Sequence, residues 1–440
     1  MNRKWWTLVV VCAATFMLLL DVTIVVVALP SIQHGLDATY SDVQWVVDAY
    51  ALTLASLLLA AGSLADRYGR RRLFVFGLVI FTTGSMLCGL SQSPLMSICS
   101  RSVQGVGGAI LFATSLAVLA QSFQGRARGT AFAVWGTVTA LATASGPIFG
   151  GLITSGISWR AIFLVNLPVG VAAIVVALWR VDESRTPQTH RLDWAGFGSL
   201  TAGLVSLVYG LIRAGETGWG NPGVIACLCL AAGCLTVFVW VESRAAHPLL
   251  DLSLFKVPTF DGGLIAAFTV NGSLFAMFVY LVLYLQDDLG YSPLGTGVRP
   301  LLISAGTILP RFVAGRLSGR VPVRWLIGPG LPLVGVGLLL MAGLDGSSGW
   351  THLAAGFVVA GIGSGLVNPP LASTAVGLVA PQRSGMASGV NTTFRQLGMV
   401  GAMCSVLLIR SKDFVSPAPP PVPTTDPAGA QAVGVAAGRT

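Results

Sequence analysis

The sequence predicts an all-α polytopic membrane protein, and three features carry the prediction. The chain of 440 residues is 54% hydrophobic and only 10% charged, whereas soluble domains carry roughly a quarter charged residues; its mean hydropathy is +0.78. Thirteen apolar runs of spanning length follow one another, each near the ~20 residues that a helix needs to cross about 30 Å of hydrocarbon. The third feature is the placement of charge. Basic residues fall singly or in short clusters at the ends of those runs, so the formal net charge of +9 follows from the positive-inside rule and calls for no nucleic-acid partner.

The first run, Trp6 to Leu29, follows Arg3 and Lys4 in the manner of a signal peptide. It continues past 20 residues without a small-residue cleavage site and therefore reads as a retained span. The others run from Trp45 to Leu64, Leu73 to Leu90, Leu95 to Ala120, Gly129 to Ile153, Ala161 to Val181, Trp194 to Ile212 and Gly223 to Val241. They continue as Phe260 to Leu285, Leu294 to Ala314, Trp325 to Leu344, Leu353 to Val379 and Met386 to Ile409. With the N-terminus inside, the arginines of 67–72, Arg126, Arg128, Arg180, Arg185, Arg191, Arg244, Lys256, Arg316, Arg320, Arg324 and Arg383 share one side, against Arg160, Arg213, Arg299, Arg410 and Lys412 on the other. That imbalance predicts a cytoplasmic N-terminus, and the expected location is the plasma (inner) membrane. The seven cysteines lie almost entirely in apolar runs and lack metal-ligand spacing. They read as buried free thiols, and no metal or other cofactor is expected.

The densest polar cluster of the first half is Gly62-Ser-Leu-Ala-Asp-Arg-Tyr-Gly-Arg-Arg-Arg72, between the second and third spans. Its arginines belong in water. A topology signal needs positive charge alone, whereas Gly62, Asp66 and Gly69 at fixed spacing suggest a further role. Gly315 to Arg324 repeats its shape as a degraded copy, with Gly319 where an aspartate would stand. Two related halves with charged loops at matching positions are the pattern of a transporter built from parallel repeats. Asp182 to Asp193 is polar and basic, and the two spans after it have no counterpart in the echo.

Five stretches together resemble the major facilitator superfamily, specifically its fourteen-helix drug/proton antiporter branch. They are Leu20-Asp-Val-Thr-Ile-Val-Val-Val-Ala-Leu-Pro30, the loop of Gly62 to Arg72, Arg101-Ser-Val-Gln-Gly105, Ser145-Gly-Pro-Ile-Phe-Gly-Gly151, and Trp159-Arg-Ala-Ile-Phe-Leu-Val-Asn-Leu-Pro-Val-Gly170. With Gly385 to Gly389 and Asn391 to Gly398 they extend over nearly the whole chain. The resemblance implies a major facilitator fold: a six-helix bundle in 1–181, a linker in 182–257 with two inserted helices, a second bundle in 258–410 with five helices visible, and a Pro-rich tail, 411–440, expected to be disordered. It also implies multidrug efflux by a monomer whose partners are a small-molecule substrate, protons and the lipid bilayer.

Asp21 lies about nine residues, roughly 13 Å, from the end of the first span. A carboxylate at that depth faces a cavity or a partner, and desolvation favours its neutral form. In the family the aspartate of this motif is implicated in proton or cation coupling, a role the resemblance gives to Asp21. Arg101, roughly 9 Å into the fourth span, is the candidate partner, with Gln104 three residues on and sharing its face. Asp48 is a further candidate for proton coupling, although so near the interface it can also be hydrated. For each of these a fixed structural ion pair or hydrogen bond is the competing reading.

The resemblance makes the Gly62 loop a conformational latch, with Asp66 and Arg67 bonding across the halves, Arg70 and Arg71 in support, and Gly62 and Gly69 allowing close approach and a sharp turn. Gly146, Pro147, Gly150 and Gly151 form the motif that the family associates with exporters. Generic membrane packing explains the small residues but not Gly-Pro followed by Gly-Gly. Asn368-Pro369-Pro370 suggests an interruption in the twelfth span. Possible substrate contacts are Tyr50, Asn271, Tyr280 and Arg395; the last lies near mid-membrane and is there either to meet an anionic substrate or to brace two helices. No fourteenth span follows Ile409. The sequence therefore reads as a proton-coupled exporter of hydrophobic or amphipathic compounds, with an uptake symporter or a truncated non-transporting membrane protein as alternatives. Without a nucleophile–base pair, an enzyme is not expected.

Overall fold

The computed structural model describes residues 3–123, 125–183, 193–245, 250–317, 321–343, 348–377, 387, 389–399 and 401. Nearly all of them are helical. In chain order the helices are α1 (Arg3–Gly35), α2 (Tyr40–Tyr68), α3 (Arg70–Gly89), α4 (Pro94–Ser122), α5 (Gly125–Gly156), α6 (Ala161–Leu164), α7 (Asn166–Arg180), α8 (Trp194–Thr217) and α9 (Pro222–Arg244). There follow α10 (Pro258–Leu283), α11 (Pro293–Val298), α12 (Leu301–Leu317), α13 (Arg324–Leu340) and α14 (Thr351–Gly377), and a last helical stretch at 389–399. Among the described residues, nine helices are long and apolar enough to cross a membrane.

Local chemistry sets the helix ends. Ser93 Oγ accepts from Met96 N at 3.3 Å and Pro94 opens α4, a pairing suited to a first turn. Thr39 and Asp42 close a capping box at the start of α2. Gly69, at φ +108°, makes the one-residue corner between α2 and α3, a conformation that favours glycine. Short connections then make consecutive long helices antiparallel. The array has two faces, called here the Arg3 face and the Gly35 face after the two ends of α1.

α1 packs on α5, α7 and α4, while α4 packs on α2 and α3. α14 is flanked by α12, α13 and α10. α8 and α9 pair with each other, and α8 leans on α2. The two larger groups meet toward the Gly35 face. There Val25 to Leu29 of α1 share an apolar cluster with Phe275, Val279, Val282 and Leu283 of α10, Gln286 Nε2 donates to Val27 O at 2.9 Å, and α5 lies along α11.

Several expectations change. Asp21 is deeper than expected, because α1 continues beyond Pro30 to Gly35. The tenth span is divided by Pro300 into α11 and α12. α14 passes through Pro369 and Pro370 as one helix, so the expected interruption is not there; packing on α12 and α13 holds it. Of the six described cysteines, only Cys12 and Cys88 are buried, while Cys99 and Cys229 are exposed on the protein surface. In a bilayer, apolar helix faces turn outward to lipid as well as inward. Cys404, Gly319, Gly385 and the tail 411–440 lie outside the described residues.

Candidate functional site

The site is a buried ion pair between α1 and α4. Arg101 Nη1 donates to Asp21 Oδ2 at 2.6 Å, and both side chains are almost wholly buried, at 1% and 0% exposure. Neutral partners supply further hydrogen bonds to each group. Gln104 Nε2 donates to Asp21 Oδ1 at 2.9 Å and Asn166 Nδ2 to the same oxygen at 3.3 Å. Arg101 donates from Nε to Val46 O at 3.1 Å and from Nη1 to Gln104 Oε1 at 2.7 Å. The guanidinium lies over the Tyr50 ring, 4.1 Å from its centroid, an arrangement that offsets part of its desolvation.

Close helix approach makes this geometry possible. A Cβ on Gly105 would meet Tyr50 O at 2.7 Å, and one on Gly84 would meet Gln104 N at the same distance. Glycine at both positions lets α2 and α3 press onto α4, which holds Arg101 and Gln104 against α1. A second layer fixes the amides. Asn166 Nδ2 also donates to Ser85 Oγ at 3.0 Å, Ser85 Oγ donates to Phe163 O at 2.8 Å, and Cys88 Sγ lies 3.7 Å from Gln104 Oε1.

Asp48 is completely buried rather than hydrated near an interface. α2 begins at Tyr40, which puts Asp48 about 12 Å inside it. Gln44 Nε2 donates to its Oδ2 at 3.1 Å, while Oδ1 makes no hydrogen bond among the described residues. Asp48, Tyr50 and Arg101 border a cavity of about 10 Å³, room for about one water, whose opposite wall includes Phe275 and Gln396. The charge pair thus adjoins the seam between the two large helix groups.

The loop after α2 is anchored by the residues that follow α7. Glu183, just beyond α7, accepts from the backbone N–H of Arg71 and of Arg72, each at 3.2 Å, and Arg71 Nη1 donates to Val181 O at 3.2 Å. These contacts tie the loop to its own half of the chain. Among the described residues, nothing lies within 4 Å of a Cβ built on Gly62. The side chains of Asp66 and Arg67 lie outside the described residues.

In α5, Gly146 packs on Thr23 and Gly150 on Ile24 of α1, Gly151 meets Pro293 and Leu294, and the Pro147 carbonyl faces Gly297 of α11. Pro147 lies within a continuous helix. Asn271 Nδ2 donates to Ala267 O at 2.8 Å, Tyr280 is half-buried on α10, and Arg395 binds two asparagines, Asn391 Oδ1 at 2.9 Å and Asn368 Oδ1 at 2.8 Å. Neither Asn271 nor Arg395 touches the Asp21 cluster. Asn166, Ser85 and Cys88 had no role in the sequence reading. Asn166 was visible as a lone amide in an apolar run, but a neutral polar residue there is equally at home bonding its own helix.

A stack of spanning helices around a buried, hydrogen-bonded charge pair is consistent in construction with a membrane transporter. Residues 11–403 match the Major Facilitator Superfamily, and the chain belongs to that family: it is a membrane-embedded transporter and not an enzyme. It is similar to the multidrug resistance protein Stp of Mycobacterium tuberculosis, with 34% identity over 90% of this chain and 74% of that one. The drug efflux pump JefA of the same species is 36% identical over 90% of this chain and 78% of its own length. The puromycin resistance protein pur8 of Streptomyces alboniger is 36% identical over 92% and 81%. Among solved structures, a bacterial homolog of the human lysosomal transporter Spinster, inward-facing and unoccupied, aligns with a TM-score of 0.60 and 17% identity over 92% of this chain and 81% of that one, which speaks for the fold alone.

Proposed function

We propose that the chain exports hydrophobic or amphipathic small molecules in exchange for protons, as a monomer in the inner membrane. One observation carries the reading: the carboxylate of Asp21 is sealed inside the helix array against a single cation, Arg101. A buried carboxylate keeps its charge only while the cation stays beside it. Moving α4 relative to α1 would remove that stabilisation and let Asp21 take up a proton. Proton binding and helix position are then coupled. Asp48, buried at the same seam with one free oxygen, is a second candidate proton site.

Residues 1–181 and 258–410 would act as two bundles rocking about this seam, with 182–257 as a linker. With the N-terminus cytoplasmic, the Gly35 face is outside. The contacts of α1 with α10 and of α5 with α11 would then close the path outward, and Gly146 to Gly151 would form part of that seal. The loop of Gly62 to Arg72 would restrain the cytoplasmic side, anchored by Glu183. Relatives named for multidrug resistance, drug efflux and puromycin resistance favour export over uptake.

The test uses inside-out vesicles containing the full chain, energised to acidify their interior and offered a panel of amphipathic dyes from anionic to cationic. Accumulation of at least one dye that a protonophore abolishes is the expected result. Uptake indifferent to the protonophore, or no uptake of any dye, contradicts the proposal.

A further inference from the structure

Away from the charge pair, two arginines stand together in the second half of the chain. Arg395 is half-buried in the 389–399 helix, and its guanidinium is oriented by the amide oxygens of Asn391 and Asn368. Asn368 is itself fixed, donating from Nδ2 to Ser364 O at 3.0 Å and to Ser364 Oγ at 3.1 Å. The amide is thus locked with its oxygen toward the arginine. Both partners are neutral, so they aim the charge without cancelling it.

Arg311 lies about 15 Å along α12, at the crossing of α12 with α14. A Cβ on Gly365 would meet Arg311 N at 3.1 Å, and Gly365 is one helical turn before Asn368. Arg395 lies within electrostatic reach of Arg311. Among the described residues, neither guanidinium forms a salt bridge, Arg311 makes no hydrogen bond, and Arg395 Nη2 makes none. Arg311 is exposed.

Two like charges held near each other at mid-membrane depth, with no carboxylate paired to either among the described residues, are costly for the protein alone. A simple brace between helices would gain more from one arginine and one acid. The cost is recovered when an anion enters: a carboxylate between two guanidiniums takes charge-assisted, fork-like hydrogen bonds from both. The aromatic Phe275 and the amide of Gln396, next in sequence to Arg395, line the second-half side of the cavity that Asp48 and Arg101 border. We propose that Arg311 and Arg395 form a substrate subsite for an anionic group, the carboxylate of an amphipathic aromatic compound. This refines the export reading above and rests on it for the word substrate, while binding itself does not depend on proton coupling.

The experiment measures binding to the purified full chain in a neutral detergent, by fluorescence polarisation at fixed pH. Two dyes with the same xanthene core are compared: fluorescein, which carries a carboxylate, and rhodamine 6G, a cationic ester. The wild type is expected to bind fluorescein more tightly. R311Q and R395Q should each weaken fluorescein binding about tenfold or more and change rhodamine 6G binding less than about twofold, and R311K should retain part of the preference. Because Arg395 holds two asparagines, R395Q risks unfolding. Arg311 makes no such bonds, so R311Q keeps the test decisive. Equal binding of fluorescein by wild type and R311Q overturns the subsite, as does a wild type that prefers rhodamine 6G. Arginine-dependent fluorescein binding without protonophore-sensitive transport would retain the subsite and refute proton-driven export.

Discussion

Replacing Asp21 with asparagine should reduce dye accumulation in energised vesicles to the level left by a protonophore. The substitution keeps the shape of the side chain and one oxygen for Arg101, but removes the group that can carry a proton. It also places an NH2 where an oxygen accepts from Arg101 Nη1 or Gln104 Nε2. Gln104 cannot simply rotate its amide to compensate, because its Oε1 already accepts from Arg101. The mismatch, together with a buried Arg101 left without its counter-ion, should cost about 3–5 kcal/mol, measurable by thermal unfolding. The transport loss should be near complete by comparison. A variant that still accumulates dye in a protonophore-sensitive way would remove Asp21 from the coupling step.

The second large effect is expected at Arg101. In R101Q the Asp21 carboxylate stays buried with only amide donors, Gln104 at 2.9 Å and Asn166 at 3.3 Å. Removing one partner of a buried pair costs about 3–5 kcal/mol, and loss of the guanidinium over Tyr50 adds roughly 1 kcal/mol. R101Q should therefore unfold at clearly lower temperature than the wild type, as D21N does, and should not transport. Combining D21N with R101Q removes both charges, so the double variant should be more stable than R101Q alone while remaining inactive. Strictly additive losses would mean that the two side chains are not coupled in the folded protein.

The sequence showed the spans and the charge pair for one physical reason: a bilayer penalises charge, so apolar runs of about 20 residues and the few acids and arginines inside them stand out. Asp21 and Arg101 were legible as partners by depth, and Gln104 by its spacing from Arg101. The amide layer of Asn166 and Ser85 was not, because neutral polar side chains inside helices commonly bond their own backbone. Asp48 was misjudged because α2 starts several residues before its apolar run, at the capped Thr39. Arg311 drew no attention as a single basic residue near the end of the run from Leu294 to Ala314; only the crossing of α12 and α14 brings it toward Arg395. The loop of Gly62 to Arg72 signalled its charge but not its partner, since Glu183 is more than a hundred residues away.

The central claim is that one buried carboxylate links proton binding to transport, and proton release on substrate binding tests it most directly. Purified wild type and D21N would be titrated with the best-transported dye by calorimetry in buffers of different ionisation enthalpy, which gives the protons exchanged. The wild type should release protons as dye binds, because ligand and proton favour different conformations and the linkage is reciprocal. D21N should bind the dye with little or no release. Equal proton release from the two proteins would contradict the account.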